Sequence, residues 1–171
     1  MLKSNDQIMK RVLFLPSLLF FFFGILYGQV NTNNYRLPIQ KTNEKIKIDG
    51  ILDEITWKNT ALADDFFMIT PIDTGKATQL SEARMSFDEE NLYISIIFFN
   101  TSTQGEYVVE SLKRDFSFGK NDNFLVAIDP FNNQNTGFVF GLNSYGAQWD
   151  GTIFNGRNVD LNWDTKWYSA V

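Results

Sequence analysis

Three tryptophans near the end of the chain, Trp149, Trp163 and Trp167, stand among Asp150, Asn162 and Asp164. Indole rings beside amides and carboxylates can recognise sugars. An apolar ring face packs on the C–H side of a pyranose, and side-chain oxygens and amides bond its hydroxyls. The same rings also close hydrophobic cores, so each tryptophan has a packing reading beside the binding one. Phe116 and Phe118 are weaker substitutes for a clamping ring. Asp129, Asn132, Asn133 and Asn135 place oxygen-bearing side chains within one short stretch, enough for part of a calcium shell but without EF-hand spacing. That stretch also reads as a plain Asn-rich turn.

Other acids have structural explanations. Asp49 suits a turn with Gly50, Asp53 suits a helix cap, and Asp88, Glu89 and Glu90 read as a solvated hairpin tip, although Asp49, Asp53 and Glu54 could also ligate an ion or act as acid and base. Trp57, after an acidic pair on a short helical turn, reads as a core residue. Glycoside hydrolysis needs only two carboxylates across a cleft, and nothing in the spacing singles out such a pair.

Composition removes whole classes of chemistry. The chain has 171 residues, no cysteine and no histidine, which excludes a thiol nucleophile, a Ser/His/Asp triad, a Cys/His zinc site and any disulfide. Fifteen basic against twenty acidic residues give a net charge of −5, the wrong sign for attraction to phosphate backbones, so no nucleic-acid partner is expected. A surplus of carboxylates is compatible with calcium.

The elements that must position these residues begin after an apolar leader. Lys10 and Arg11 precede residues 12–27, a run interrupted only by Pro16, Ser17 and Gly24, followed by Gly28 and Gln29. This reads as a cleaved secretory signal over residues 1–29 rather than a retained anchor, because a membrane-spanning helix needs about 20 apolar residues. Translation from Met9 would give the more conventional basic start. No cysteine follows the run, so lipoprotein anchoring is excluded. Removing the leader takes away three basic residues and one acid, Asp6, leaving a more acidic chain.

Residues 30–44 read as an exposed lead-in. Residues 45–48 alternate as a strand, followed by the Asp49-Gly50 turn and a helical turn carrying Ile55 and Trp57. Ala83, Met85 and Phe87, then residues 92–99, form an expected antiparallel hairpin around residues 88–91. Residues 100–121 read as a long connection, the kind of segment that often binds ligands. Phe124, Val126 and Ile128 form a second expected hairpin with Phe138, Phe140 and Leu142. A turn at residues 143–146 leads to residues 148–150, and Trp167 begins a last strand that reaches Val171 without a partner. The expectation is an all-β domain, an antiparallel β-sandwich or jelly roll with short helical turns, whose C-terminal strands are missing from this sequence.

Residues 47–57, KIDGILDEITW, resemble the opening of carbohydrate-binding module family 9. Further landmarks follow in order: Arg84 with Phe87-Asp88 and Asn91-Leu92-Tyr93-Ile94, Asp122-Asn123-Phe124 leading to Ile128-Asp129-Pro130, and Gly137-Phe138 to Asn143 with Gly146 and Asp150. Trp163-Asp164 and Trp167 complete a likeness to exported proteins, common in Bacteroidetes, in which such a module precedes a large domain of unknown function expected to be an outer-membrane barrel. The resemblance covers residues 45–171. It implies a β-sandwich that binds sugars between two aromatic rings, with calcium holding loops, sometimes beside glycoside hydrolase domains. The chain departs from that pattern just before Asp122, where Phe118-Gly119-Lys120-Asn121 stands in place of a clamp tryptophan.

The sequence therefore points to an exported, non-catalytic module that binds an oligo- or polysaccharide in carbohydrate catabolism, located in the periplasm, outer membrane or extracellular space. Its expected ligand-binding residues are Trp149, Trp163, Trp167, Asn162, Asp164 and Asp150, with Asp129, Asn132 and Asn133 for calcium. One alternative is a docking module before an outer-membrane barrel or another cell-envelope partner, without sugar binding. The other is a fragment of a glycoside-hydrolase system, acting on O-glycosyl compounds.

Overall fold

A computed structural model of the chain describes residues 35–70, 75–100 and 107–171, and the fold is that of the unit Leu37–Val171. The expected signal at 1–29 and residues 30–34 of the lead-in lie outside the described residues. Among the described residues there are two β-sheets and one short α-helix, so the fold is all-β.

The first sheet grows from a hairpin. β2 (Ser81–Phe87) and β3 (Leu92–Phe98) pair antiparallel, from Ser81 opposite Phe98 to Phe87 opposite Leu92. β3, LYISIIF, is aromatic and β-branched almost throughout, a composition that suits a pleated and partly buried surface. The connection turns on Asp88, whose carboxylate accepts the amides of Glu90 at 2.8 Å and Asn91 at 2.7 Å and the Tyr93 hydroxyl at 2.7 Å. The Glu90 amide first, then that hydroxyl, hold the Asp88 pKa down at about 2.

Two expectations are corrected at the N-terminal side. Residues 45–48 form no strand. Instead β1 (Gln40–Lys41), within the expected lead-in, runs parallel to β2, with Thr42 buried behind it. The Lys47 amide, which a ladder would need, goes to the buried Glu54 carboxylate at 2.8 Å. The helical turn is present as α1 (Ile55–Asn59), but Asp53 does not cap it. Glu44 does so from a distance, accepting the Thr56 amide at 2.9 Å, the Thr56 hydroxyl at 2.8 Å and the Ile55 amide at 3.4 Å. A carboxylate at the first turn satisfies amides that have no partner within the helix. Trp57 is buried, as expected, and its indole N–H donates to Glu54 at 2.9 Å.

The second sheet is β4 (Asn123–Ile128), β5 (Gly137–Asn143), β6 (Gln148–Phe154) and β7 (Asn158–Asp160), antiparallel throughout and ordered as in the chain. The β4–β5 hairpin is the expected one, whereas β7 has no counterpart in the sequence reading. Strand alternation divides the side chains between two faces. Val139 and Trp149 lie on one face, where they join Phe116 and Ala147 as the core, with Ile153 and Val159 packed against them. Trp149 stands opposite Gly141, where a Cβ would come within 3.0 Å of the Phe124 carbonyl oxygen and pack on the indole at 3.5 Å. The other face carries Phe124, Val126, Phe138, Phe140, Gln148 and Asp150. Phe124 meets Phe98 of the first sheet there, with ring centroids 6.4 Å apart.

Candidate binding site on the C-terminal segment

Beyond β7 the chain turns at residues 161–162 and then joins no ladder. The expected strand from Trp167 to Val171 is therefore not formed. Residues 163–169 instead lie against the second face of the β4–β7 sheet. Trp163, Thr165, Trp167 and Ser169 are half-buried, and Asn162, Asp164, Lys166 and Tyr168 alternate with them and are exposed. The Trp163 ring packs on Phe138 at 4.9 Å and edge-on to Phe140 at 6.3 Å; Trp167 meets Phe140 edge-on at 5.5 Å. The Trp167 indole nitrogen is buried and has no hydrogen-bond partner.

Side chains hold the segment in place. Arg114, in the long connection before β4, donates to Asp164 at 2.8 Å, to the Gln148 side chain at 2.8 Å and to the Thr165 carbonyl at 3.0 Å, and it also pairs with Asp150. Asp150 is 0% exposed, and its second oxygen accepts the Thr165 amide at 3.1 Å. Gln148 donates to the Trp167 carbonyl at 3.2 Å and to the Ser169 hydroxyl at 3.0 Å. A buried carboxylate is tolerable because a guanidinium neutralises it and backbone and side-chain donors fill its lone pairs. Beside this cluster, burial pushes the Asp115 carboxyl above the ordinary carboxylate range, against the opposing pull of the Asp150 amide and Arg114.

The structure distributes the sequence candidates unevenly. Asp164 and Asp150 meet on Arg114, and Trp163 and Trp167 pack beside them on Phe138 and Phe140. Asn162 is exposed next to them, with its side chain bonded to Asp160 at 2.7 Å. Trp149 lies on the opposite face, 7% exposed, with Phe118 at 5.2 Å, and offers no open ring face to solvent. Phe116 is in the same core. Asp150 and Asp164 do converge, but on one guanidinium, which makes an ion-pair cluster rather than an acid and a base facing a bond.

The calcium candidates serve a turn. Asp129 accepts the amides of Phe131 at 3.1 Å and Gln134 at 2.7 Å, and Asn133 accepts those of Asn135 and Thr136, both at 2.9 Å. Asn132 and Gln134 have φ of 52° and 55°, the left-handed conformation that such turns require. The Gln134 amide is the main cause of the lowered Asp129 pKa. The Asp129 and Asn133 side-chain oxygens thus accept the loop's own amides. Among the described residues no group of three acidic side chains is placed to hold a metal ion.

Sequence reading missed Arg114, Gln148, Lys166 and Tyr168. Lys166 lies 5.3 Å from the centre of the Tyr168 ring, which is 69% exposed. Arg114 stood in a loop of mixed charge with nothing local to distinguish it. The available signal was indirect, since Asp150 among apolar strand residues needs a cation. Two open clefts lie elsewhere, one between residues 64–66 and 76–80 and one between β1 and α1, and neither is lined by a residue expected from the sequence to bind a ligand or an ion. No helix among the described residues is long and apolar enough to cross a membrane. Compared with known proteins, the chain matches no family model, no curated protein and no solved structure.

Proposed function

We propose that this chain is an exported, non-catalytic carbohydrate-binding module, a sandwich of the kind found in carbohydrate-binding module family 9, which captures an oligo- or polysaccharide for carbohydrate catabolism. One observation carries the reading: Trp163, half-buried on a bed of Phe138 and Phe140, is flanked at the surface by Asn162, Asp164 and the partly exposed Arg114. A ring fixed from behind, with an amide, a carboxylate and a guanidinium beside it, supplies apolar stacking and directional donors and acceptors for hydroxyls. Asp150 supports this platform by pairing with Arg114, whereas Trp149 lies on the opposite face of the sheet. Export rests on the basic and apolar leader at residues 10–27.

The test is tryptophan fluorescence titrated with a panel of neutral and acidic oligosaccharides, with calcium and then with chelator. A saturable, sugar-selective change is expected, weakened about two- to tenfold by Trp163→Ala, since one stacked ring contributes roughly 0.5–1.5 kcal/mol beyond its area. A folded sample that stays silent across the panel sinks the proposal.

A docking module before an outer-membrane barrel is the second reading, and a specific feature favours it. Val171 lies against Gly50 and Gly146, and Ile51, Tyr145 and Val171 around that point are each at least 60% exposed. Such an apolar group suits burial by a partner. This reading predicts silence across the sugar panel from a folded chain.

A further inference from the structure

We propose that Arg114 is a latch, and that residues 163–169 form a strap which leaves the sheet as a unit when that latch opens. The argument starts from which bonds are absent. Among the described residues no backbone–backbone hydrogen bond joins 163–169 to any strand. A ladder strand has bonds spread along its length; this segment has only those made by three side chains, Arg114, Gln148 and Asp150. Arg114 is central because it grips the strap at Asp164 and Thr165 while also holding Gln148 and Asp150, the two residues that make the remaining contacts. Removing it leaves the Asp150 charge buried and unpaired, so the whole set loosens together.

The rest of the strap's adhesion is ring packing on Phe138 and Phe140. The exposed side of Arg114 gives water access to the latch, its side chain being 34% exposed. The strap belongs to the least protected part of the molecule, while the sheet beneath keeps its own core on the opposite face. A lifted strap carries Trp163 and Trp167 away and uncovers two phenylalanines. Arg114 thus holds in place the segment that carries Trp163 and Asp164. The inference concerns the ligand-free chain and stands apart from the sugar reading.

Amide hydrogen exchange on the full, ligand-free chain tests it. In the wild type the Thr165 amide should exchange about tenfold or more faster than Val139 and Phe140 in the central strand β5, because the strap opens without the sheet. Arg114→Gln and Arg114→Lys should each speed Thr165 exchange at least about tenfold further and raise tryptophan quenching by acrylamide, while β5 stays slower than Thr165 by about tenfold or more. Lysine should not rescue, since an ammonium cannot span four acceptors as a planar guanidinium does. Should an Arg114 variant fail to fold, Asp164→Asn removes one grip at the surface and should give a smaller acceleration of the same amide. Thr165 exchanging together with β5 in the wild type overturns the proposal, as does a Thr165 rate unmoved by Arg114→Lys or Asp164→Asn. Silence in the sugar titration leaves these readouts intact.

Discussion

Glu54 shows how much one side chain can organise. It is buried, it accepts the Lys47 amide and the Trp57 indole, and so it ties the segment before α1 to the residue that fills the core beneath it. Glu54→Ala strands the buried Trp57 indole donor, at about 1–3 kcal/mol, and frees the part-buried Lys47 amide, so it should lower unfolding stability by at least about 1–3 kcal/mol in urea titrations. Glu54→Gln keeps an acceptor and should cost clearly less. If the two variants are equally destabilised, the hydrogen bonds are not the cause. Asp115 should behave in the opposite sense. Its carboxyl is raised by burial, so its ionisation works against the fold, and its φ of 57° suits asparagine. Asp115→Asn should therefore stabilise the chain at neutral pH, with a gain that shrinks as acid protonates the wild-type group. A gain independent of pH would point to something other than the charge.

Elements set by local alternation were legible in the sequence, and elements set by distant partners were not. Both hairpins follow from period-two patterns closed by Asp- and Asn-rich turns, and α1 from a short apolar spacing around Trp57. β1 exists only because β2 offers an edge 46 residues away, and the strap only because Arg114 reaches across 50 residues to Asp164. The side of the sheet on which Trp149 falls depends on its register with Gly141, which a single strand does not reveal. Glycines report where that register leaves no room. A Cβ at Gly151 would stand 2.6 Å from the Asp160 carbonyl oxygen and 2.9 Å from Val159, so Gly151→Ala must push β7 away. Overpacking of this kind costs about 1–3 kcal/mol, which thermal unfolding would detect, with loss of amide protection confined first to β7. Gly119→Ala, which meets nothing within 4 Å, is the control and should be close to neutral. Equal effects at the two sites would mean that backbone freedom, not space, is what glycine provides at Gly151.

At the scale of the molecule, among the described residues, carboxylates that are lowered outnumber the one that is raised, and this sets the direction of their pH response. The Thr56 amide and hydroxyl lower Glu44, the Glu90 amide and Tyr93 hydroxyl lower Asp88, and the Gln134 amide lowers Asp129. A lowered carboxyl binds its proton less well in the folded chain than in the unfolded one. Its stabilisation is present above the ordinary carboxylate range and is lost as pH falls through the folded pKa. Asp115 adds the reverse, a contribution lost as pH rises. The exposed pairs Lys76–Asp65 and Lys120–Glu110 add little, since solvent screens them. The urea midpoint should therefore fall as the pH is lowered from about 4, with the last part of the fall, down to about pH 2, belonging to Asp88. Asp88→Ala should start from a lower midpoint at neutral pH and show a flatter profile between those limits, because the titrating group and its turn contacts are both gone. Profiles that run parallel for variant and wild type would show that the hairpin tip does not govern acid unfolding, and would move its origin to the Glu44 and Asp129 caps.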